Sequence, residues 1–165
     1  MKKFILILIF IPNILFAGSI KGIGIKGNEE TVDRVIKVSM YDNYYEPNNF
    51  KVIKNETIKF IVENKGEFVH EFNIATKEMH LKHQPEMMAM VENEILLVNK
   101  IDRKKMEEMS KKNPMMAHSH SNSVLLSPGE SAELIWKFNN TLDIEAACNV
   151  PGHYDAGMIA KIDNI

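Results

Sequence analysis

From Thr31 onward the chain repeats short apolar runs separated by turn-forming residues, the pattern of a β protein. Val35, Ile36, Val38 and Met40 predict one strand; Phe50, Val52 and Ile53 a second; Ile58, Phe60, Ile61 and Val62 a third; Val69 to Ala75 a fourth. Glu46-Pro47-Asn48-Asn49, Lys54-Asn55-Glu56 and Asn64-Lys65-Gly66 supply turns between them, because proline presets φ while asparagine and glycine tolerate tight backbone. The pattern resumes at Val124 to Leu126, followed by the turn Ser127-Pro128-Gly129-Glu130 and runs at Ala132 to Phe138, Leu142 to Cys148 and Gly157 to Ile162. Seven or eight short strands at this spacing predict an all-β, antiparallel sandwich or barrel.

The interruption, residues 76–122, is too long for a plain connection and predicts a partly helical insertion. Pro85 suits the first position of a helix, with Glu86 in its first turn and Met87, Met90, Val91, Glu94 and Leu97 near one face. A second short helix is expected from Asp102 to before Pro114, with Met106 and Met109 on one side. The insertion holds eight of the 11 methionines and four of the 6 histidines, a concentration that composition alone does not explain.

The first 17 residues add a second kind of pattern. Two lysines precede an apolar run from Phe4 to Phe16, and small residues follow at Ala17, Gly18 and Ser19. This predicts a Sec-type signal peptide over 1–17, with cleavage after Ala17 or Ser19, and a periplasmic location. The run is shorter than the roughly 20 residues that span a bilayer, so no stable membrane anchor is expected after cleavage. Residues 18–30 contain Gly22, Gly24 and Gly27 in a G-x-G-x-x-G spacing, but no strand precedes and no helix follows, so a flexible tail is expected instead of a nucleotide site. Residues 31–165 are expected to form one domain containing the insertion at 76–122. Loss of the leader takes the formal charge from −2 to −4, which gives no reason to expect nucleic acid as a partner.

Export sharpens the meaning of the single cysteine, which cannot form an intrachain disulfide. It lies in CNVPGHYDAGM, residues 148–158, where Cys148, His153 and Met158 follow a Cys-x4-His-x4-Met spacing. A thiolate, an imidazole and a thioether are soft or borderline ligands, and one more imidazole completes a trigonal site with a weak axial sulfur, which suits copper. His70, in a predicted strand, is the available imidazole. The proposed ligands are therefore His70, Cys148, His153 and Met158. Zinc accepts cysteine and histidine too, but a methionine ligand argues against it.

Two further clusters flank the predicted helices: Met79, His80 and His83 before them, Met115, Met116, His118 and His120 after. Thioethers suit Cu(I) and imidazoles accept either copper state, so these residues are candidates for a second, more exposed copper site. The alternative is that they pack or sit idle, and Met87, Met90, Met106 and Met109 read more simply as packing. No Gly-x-Ser-x-Gly or His-Glu-x-x-His motif is present, and the chain is not expected to be an enzyme.

The Cys148 to Met158 loop, the upstream Val69-His70-Glu71-Phe72 and the segment Asn113 to Phe138 resemble the cupredoxins, the type 1 copper proteins, and among them periplasmic cupredoxins linked to copper tolerance. The resemblance covers about residues 31–165. It implies a Greek-key β-sandwich in which His70, Cys148 and His153 are equatorial ligands and Met158 is axial. Glu71 departs from it, because several electron-transfer members carry asparagine there. The implied function is copper binding in tolerance and homeostasis, with one electron exchanged through His153 beside an apolar rim of Val150, Pro151 and Met158. The alternative is a soluble periplasmic electron carrier serving a respiratory or nitrite-reducing redox partner.

Overall fold

The computed structural model describes residues 22–139 and 142–165. The leader expected over 1–17 lies outside the described residues. In chain order the early strands are β1 (Ile25–Lys26), β2 (Arg34–Tyr41), β3 (Tyr44–Glu46), β4 (Asn49–Val52), β5 (Thr57–Asn64) and β6 (His70–Ala75). The insertion contributes α1 (Lys77–Glu92), the strands β7 (Leu96–Leu97) and β8 (Lys100–Ile101), and α2 (Arg103–Ser110). The chain closes with β9 (Ser123–Leu126), β10 (Ser131–Lys137), β11 (Glu145–Ala147) and β12 (Ile159–Asn164).

Two five-stranded sheets face each other, ordered β1-β10-β5-β2-β3 and β4-β12-β11-β6-β9. The sheets are mixed, where a purely antiparallel arrangement was expected: β2 runs parallel to β5, with Val38 opposite Val62, and β12 runs parallel to β4. Alternation within one strand does not reveal the direction of its neighbour. β5 shows the alternation plainly, with Ile58, Phe60 and Val62 turned into the core and Lys59 and Glu63 outward. Between the sheets Phe50, Phe60, Phe72 and Tyr45 meet edge-on or tilted, at centroid distances of 5.3 to 6.0 Å. Burying each such side chain contributes ~1.5–3 kcal/mol, so this aromatic cluster is a main source of sandwich stability.

The segment expected as a flexible tail is partly docked. Ile23 is fully buried, its carbonyl accepts the indole N–H of Trp136 at 3.0 Å, and Ile25–Lys26 pairs with β10. The open edge of β10 and the buried indole donor both gain a partner this way.

All six residues of β6 are buried, because the insertion covers the face that would otherwise meet solvent. Met87, Met90, Ile95, Leu96, Ile101 and Met116 form a second core there with Val69 and Leu125, and Met106 and Met109 pack against it. α1 starts eight residues earlier than Pro85 suggested. Thr76 caps it by accepting the Met79 N–H at 3.2 Å, and Pro85 sits in the helix interior. The bond that Pro85 deletes falls on the carbonyl of Leu81, a residue about half exposed, where water can replace it. Burial of His80, Glu86, Met87 and Met90 along one side offsets the remaining cost. α2 begins after Asp102, whose carboxylate accepts the Lys105 N–H at 2.9 Å.

Candidate metal centre

The first centre lies where β6 begins and where β11 passes into β12. β6 presents the fully buried His70. Cys148 directly follows β11, and the residues after it fold into consecutive turns. His153 N–H donates to Val150 O at 2.9 Å, Met158 N–H to His153 O at 3.0 Å, and Cys148 N–H to Met158 O at 3.2 Å. Gly152 takes φ +87°, a left-handed conformation that glycine adopts without strain, and so reverses the chain ahead of His153.

These turns set three donor atoms against one another. His70 Nδ1 and His153 Nδ1 are 3.2 Å apart, Cys148 Sγ is 3.4 Å from His153 Nδ1, and it is 4.0 Å from His70 Nδ1. A point ~2.1 Å from all three lies within this triangle, the length of a metal–imidazole bond and slightly short of a metal–thiolate bond. Met158 is fully buried at the end of the same loop. The donor set of two imidazoles, one thiol and a nearby thioether fits copper.

The surroundings prepare these groups. His70 Nε2 lies 2.9 Å from Asp42 Oδ1, so the carboxylate takes the Nε2–H and leaves the Nδ1 lone pair facing the centre. Asp42 is held by the backbone N–H groups of Glu67 and Phe68. Gly66 makes the pair possible, since a Cβ there would collide with the Asp42 carboxylate and with His70 Nε2. Burial lowers the His70 imidazole despite Asp42, and it lowers His153 with help from His70, so both rings favour the neutral, ligating form. Burial pushes the Cys148 thiol up to about 12, although the Glu71 N–H donates to Sγ at 3.3 Å. A metal cation must therefore displace the thiol proton.

The rim differs from expectation. Val150 and Pro151 are half-buried beside His153, but Met158 is inside the core. Phe68, Val91, Leu97 and Val98, three of them from the insertion, complete an apolar groove that reaches His153.

The seven residues considered for a second site separate in the structure. His83, His118 and His120 converge, and Glu86 joins them; their ligand atoms lie within 4.8 Å of one another. Met79 instead packs against the sandwich core, Met116 against the second core, and Met115 is exposed. His80 is fully buried elsewhere, its Nδ1 3.1 Å from Asn149 Nδ2 and its ring against Tyr154. His83 and Glu86 meet because i and i+3 share a face of α1, and a short 3-10 turn over Pro114–Ala117 delivers His118.

Glu71, fully buried, joins the two regions. Its Oε1 lies 2.9 Å from His118 Nε2 and 3.3 Å from His83 Nε2, and its Oε2 accepts from Asn149 N at 3.2 Å and Asn149 Nδ2 at 2.7 Å. Burial would raise this carboxyl, but the bonds from His118 and His83 hold it well below the usual range. Against the same burial effect, His120 and His83 bring Glu86 down to about 2, and Glu71 and Glu86 push His83 up to about 9. Asp42 and Glu86 were not read from sequence as site residues, and Glu71 only as a departure. Asp42 lies in the turn Asp42-Asn43 between β2 and β3, and nothing in that turn's sequence points to His70.

A two-sheet sandwich whose closing loop sets Cys148 and His153 against a histidine on a neighbouring strand defines the cupredoxin class. The chain belongs to that family: residues 7–101 match the cupredoxin-like domain. It is 38% identical over 135 residues to the copper-resistant cuproprotein CopI of Pseudomonas aeruginosa PAO1, a match covering 78% of this chain and 75% of that one. With CopI of Rubrivivax gelatinosus it shares 29% identity over 140 residues, 84% of this chain and 71% of the relative. Among solved structures, auracyanin B aligns with a TM-score of 0.59 at 15% identity, over 86% of this chain and 96% of that chain, a likeness of fold.

Proposed function

We propose that this protein is an exported cupredoxin of copper tolerance that binds copper through His70, Cys148, His153 and Met158. The observation that carries this reading is the buried triangle of Cys148 Sγ, His70 Nδ1 and His153 Nδ1. Copper bound there supplies one-electron chemistry. The chain's own part is to hold the donors close together in a largely buried pocket, fix the His70 tautomer through Asp42, and leave the edge of His153 beside an apolar groove. The leader-like residues 1–17 support export to the periplasm. Among the described residues no helix is long and apolar enough to cross a membrane. Tolerance is preferred to the electron-carrier reading because the relatives named above are copper-resistant cuproproteins, and because the insertion carries a second cluster of metal-binding side chains.

Copper stoichiometry with the visible spectrum tests the site, and growth of a deletion strain on copper tests the role. An intense thiolate-to-copper band that disappears in Cys148→Ala is expected, as is copper sensitivity rescued by the wild-type gene but not by that variant. A colourless copper complex would overturn the site. Unimpaired growth of the deletion strain on copper would overturn the role.

A further inference from the structure

We propose that His83, Glu86, His118 and His120 form a second metal site that takes divalent copper, separate from the Cys148 centre but tied to it through Glu71. The proposal deepens the copper-tolerance reading, and the site itself does not depend on the first centre.

The donor chemistry decides the oxidation state. Three imidazoles and a carboxylate are borderline to hard ligands, and such a set binds Cu(II) more tightly than the other common divalent ions. Imidazoles accept either copper state, so the carboxylate tips the set toward Cu(II); of the thioethers that would favour Cu(I), Met79 packs against the sandwich core, Met116 against the second core, and Met115 is exposed. The geometry supports one shared ion. His83 Nε2 and His118 Nε2 are 3.2 Å apart, as two nitrogens on a single ion are when each bond is ~2.0 Å. His120 Nε2 lies 2.9 Å from Glu86 Oε1, and His83 Nδ1 lies 3.4 Å from Glu86 Oε2. The rings of His83, His118 and His120 pack within 4.9 to 5.2 Å of one another. Three imidazoles gathered around two carboxylates, Glu86 and Glu71, leave a charge balance that one dication satisfies.

Access is one-sided. The side chains of Glu71 and His118 are 0% and 4% exposed and those of Glu86 and His83 10% and 11%, whereas His120 is 35% exposed and marks the entrance. On the inner side, Glu71 Oε1 touches His118 and His83, Oε2 accepts from Asn149, the residue after the thiol, and the Glu71 N–H reaches Cys148 Sγ. One residue therefore contacts both centres, and occupancy of the second site is expected to shift the absorption of the first.

The test titrates the metal-free mature protein with copper(II) sulfate, following calorimetry, visible absorption and electron paramagnetic resonance. Wild type should bind two Cu(II) per chain. Cys148→Ala should bind one, without the intense band and with the spectrum of tetragonal nitrogen and oxygen coordination. The His83→Ala/His118→Ala double variant should bind one and keep the band, and replacing Met79, Met115 and Met116 with leucine should change neither count. Where the double variant does not fold, His120→Ala, at the partly exposed entrance, should keep the band and weaken the second equivalent tenfold or more. No Cu(II) on Cys148→Ala, a second equivalent unchanged in the double variant or in His120→Ala, or loss of that equivalent in the methionine variant would overturn the proposal. A band absent from wild type while one Cys148-independent Cu(II) still binds would overturn the first centre and leave this one standing.

Discussion

Replacing Glu71 with glutamine exchanges one buried oxygen for an NH2 group, and it should cost the metal-free protein ~3 kcal/mol. Each oxygen is surrounded by donors: His118 Nε2, His83 Nε2 and Asn73 Nδ2 around Oε1, and Asn149 N and Nδ2 around Oε2. Whichever position the new amide nitrogen takes, it faces groups that donate. At the Oε2 position the amide nitrogen leaves the Asn149 backbone N–H, which cannot turn, without its acceptor; at the Oε1 position it meets His118, His83 and Asn73, where a histidine must give up its proton or a buried donor loses its acceptor. That unpaired donor costs ~1–3 kcal/mol, and the lost charge on the remaining bonds adds a comparable amount. For a domain of this size the expected fall in melting temperature is ~6–12 °C. Urea denaturation of the metal-free proteins at pH 7 measures it, with an unchanged m-value expected, and Glu78→Gln at an exposed pair with Lys82 serves as the control. The sign with pH also follows. Glu71 is held below its ordinary value of 4.5, so its contribution is complete above that pH and is lost as pH falls through its folded value. The gap between wild type and variant should therefore narrow in acid. A variant within ~0.5 kcal/mol of wild type at pH 7 would refute the view that this carboxylate is a charged hub.

Three further outcomes are expected. Asp42→Asn removes the charged acceptor behind His70 and should weaken copper at the Cys148 centre ~10–100-fold, with Gly66→Ala acting in the same direction by displacing Asp42; competition with a chelator reads both, and unchanged affinity in the two variants counts against the Asp42 role. Copper must displace the Cys148 proton, held up to about 12, so affinity at that centre should rise ~tenfold per pH unit between pH 7 and 9; a flat profile would mean the thiol is not the ligand. The His83 imidazole is raised from 6.5 to about 9, so its stabilisation of the metal-free protein is complete below pH 6.5 and is lost as pH rises through 9; His83→Gln should destabilise more at pH 6 than at pH 10, and equal penalties would contradict the ion pairs with Glu71 and Glu86.

The strand runs were legible because burial on one face imposes a two-residue period on each strand separately. The start of α1 was not. Pro85 is a strong local signal for a first turn, and the Thr76 cap together with burial of His80, Glu86, Met87 and Met90 outweighs it. The clusters at 79–83 and 115–120 were visible as compositions, but composition treats methionine and histidine alike. The fold sends the thioethers into cores or solvent, His80 to Asn149, and His83, His118 and His120 to the carboxylates of Glu71 and Glu86, because an apolar side chain gains by burial while a buried imidazole needs a polar partner.

By itself, then, the amino-acid order determined what is local: the alternating strands, the turn chemistry, and a loop short enough that Cys148, His153 and Met158 share one neighbourhood wherever it folds. Only the tertiary structure decided which distant groups meet them. Asp42 behind His70, Glu71 between the two clusters, the parallel pairing of β2 with β5, and the convergence of His83 and Glu86 with His118 and His120 depend on contacts between residues about 20 to 80 positions apart. Such contacts are selected by complementary burial and charge across the folded chain, and no short window of sequence carries that information.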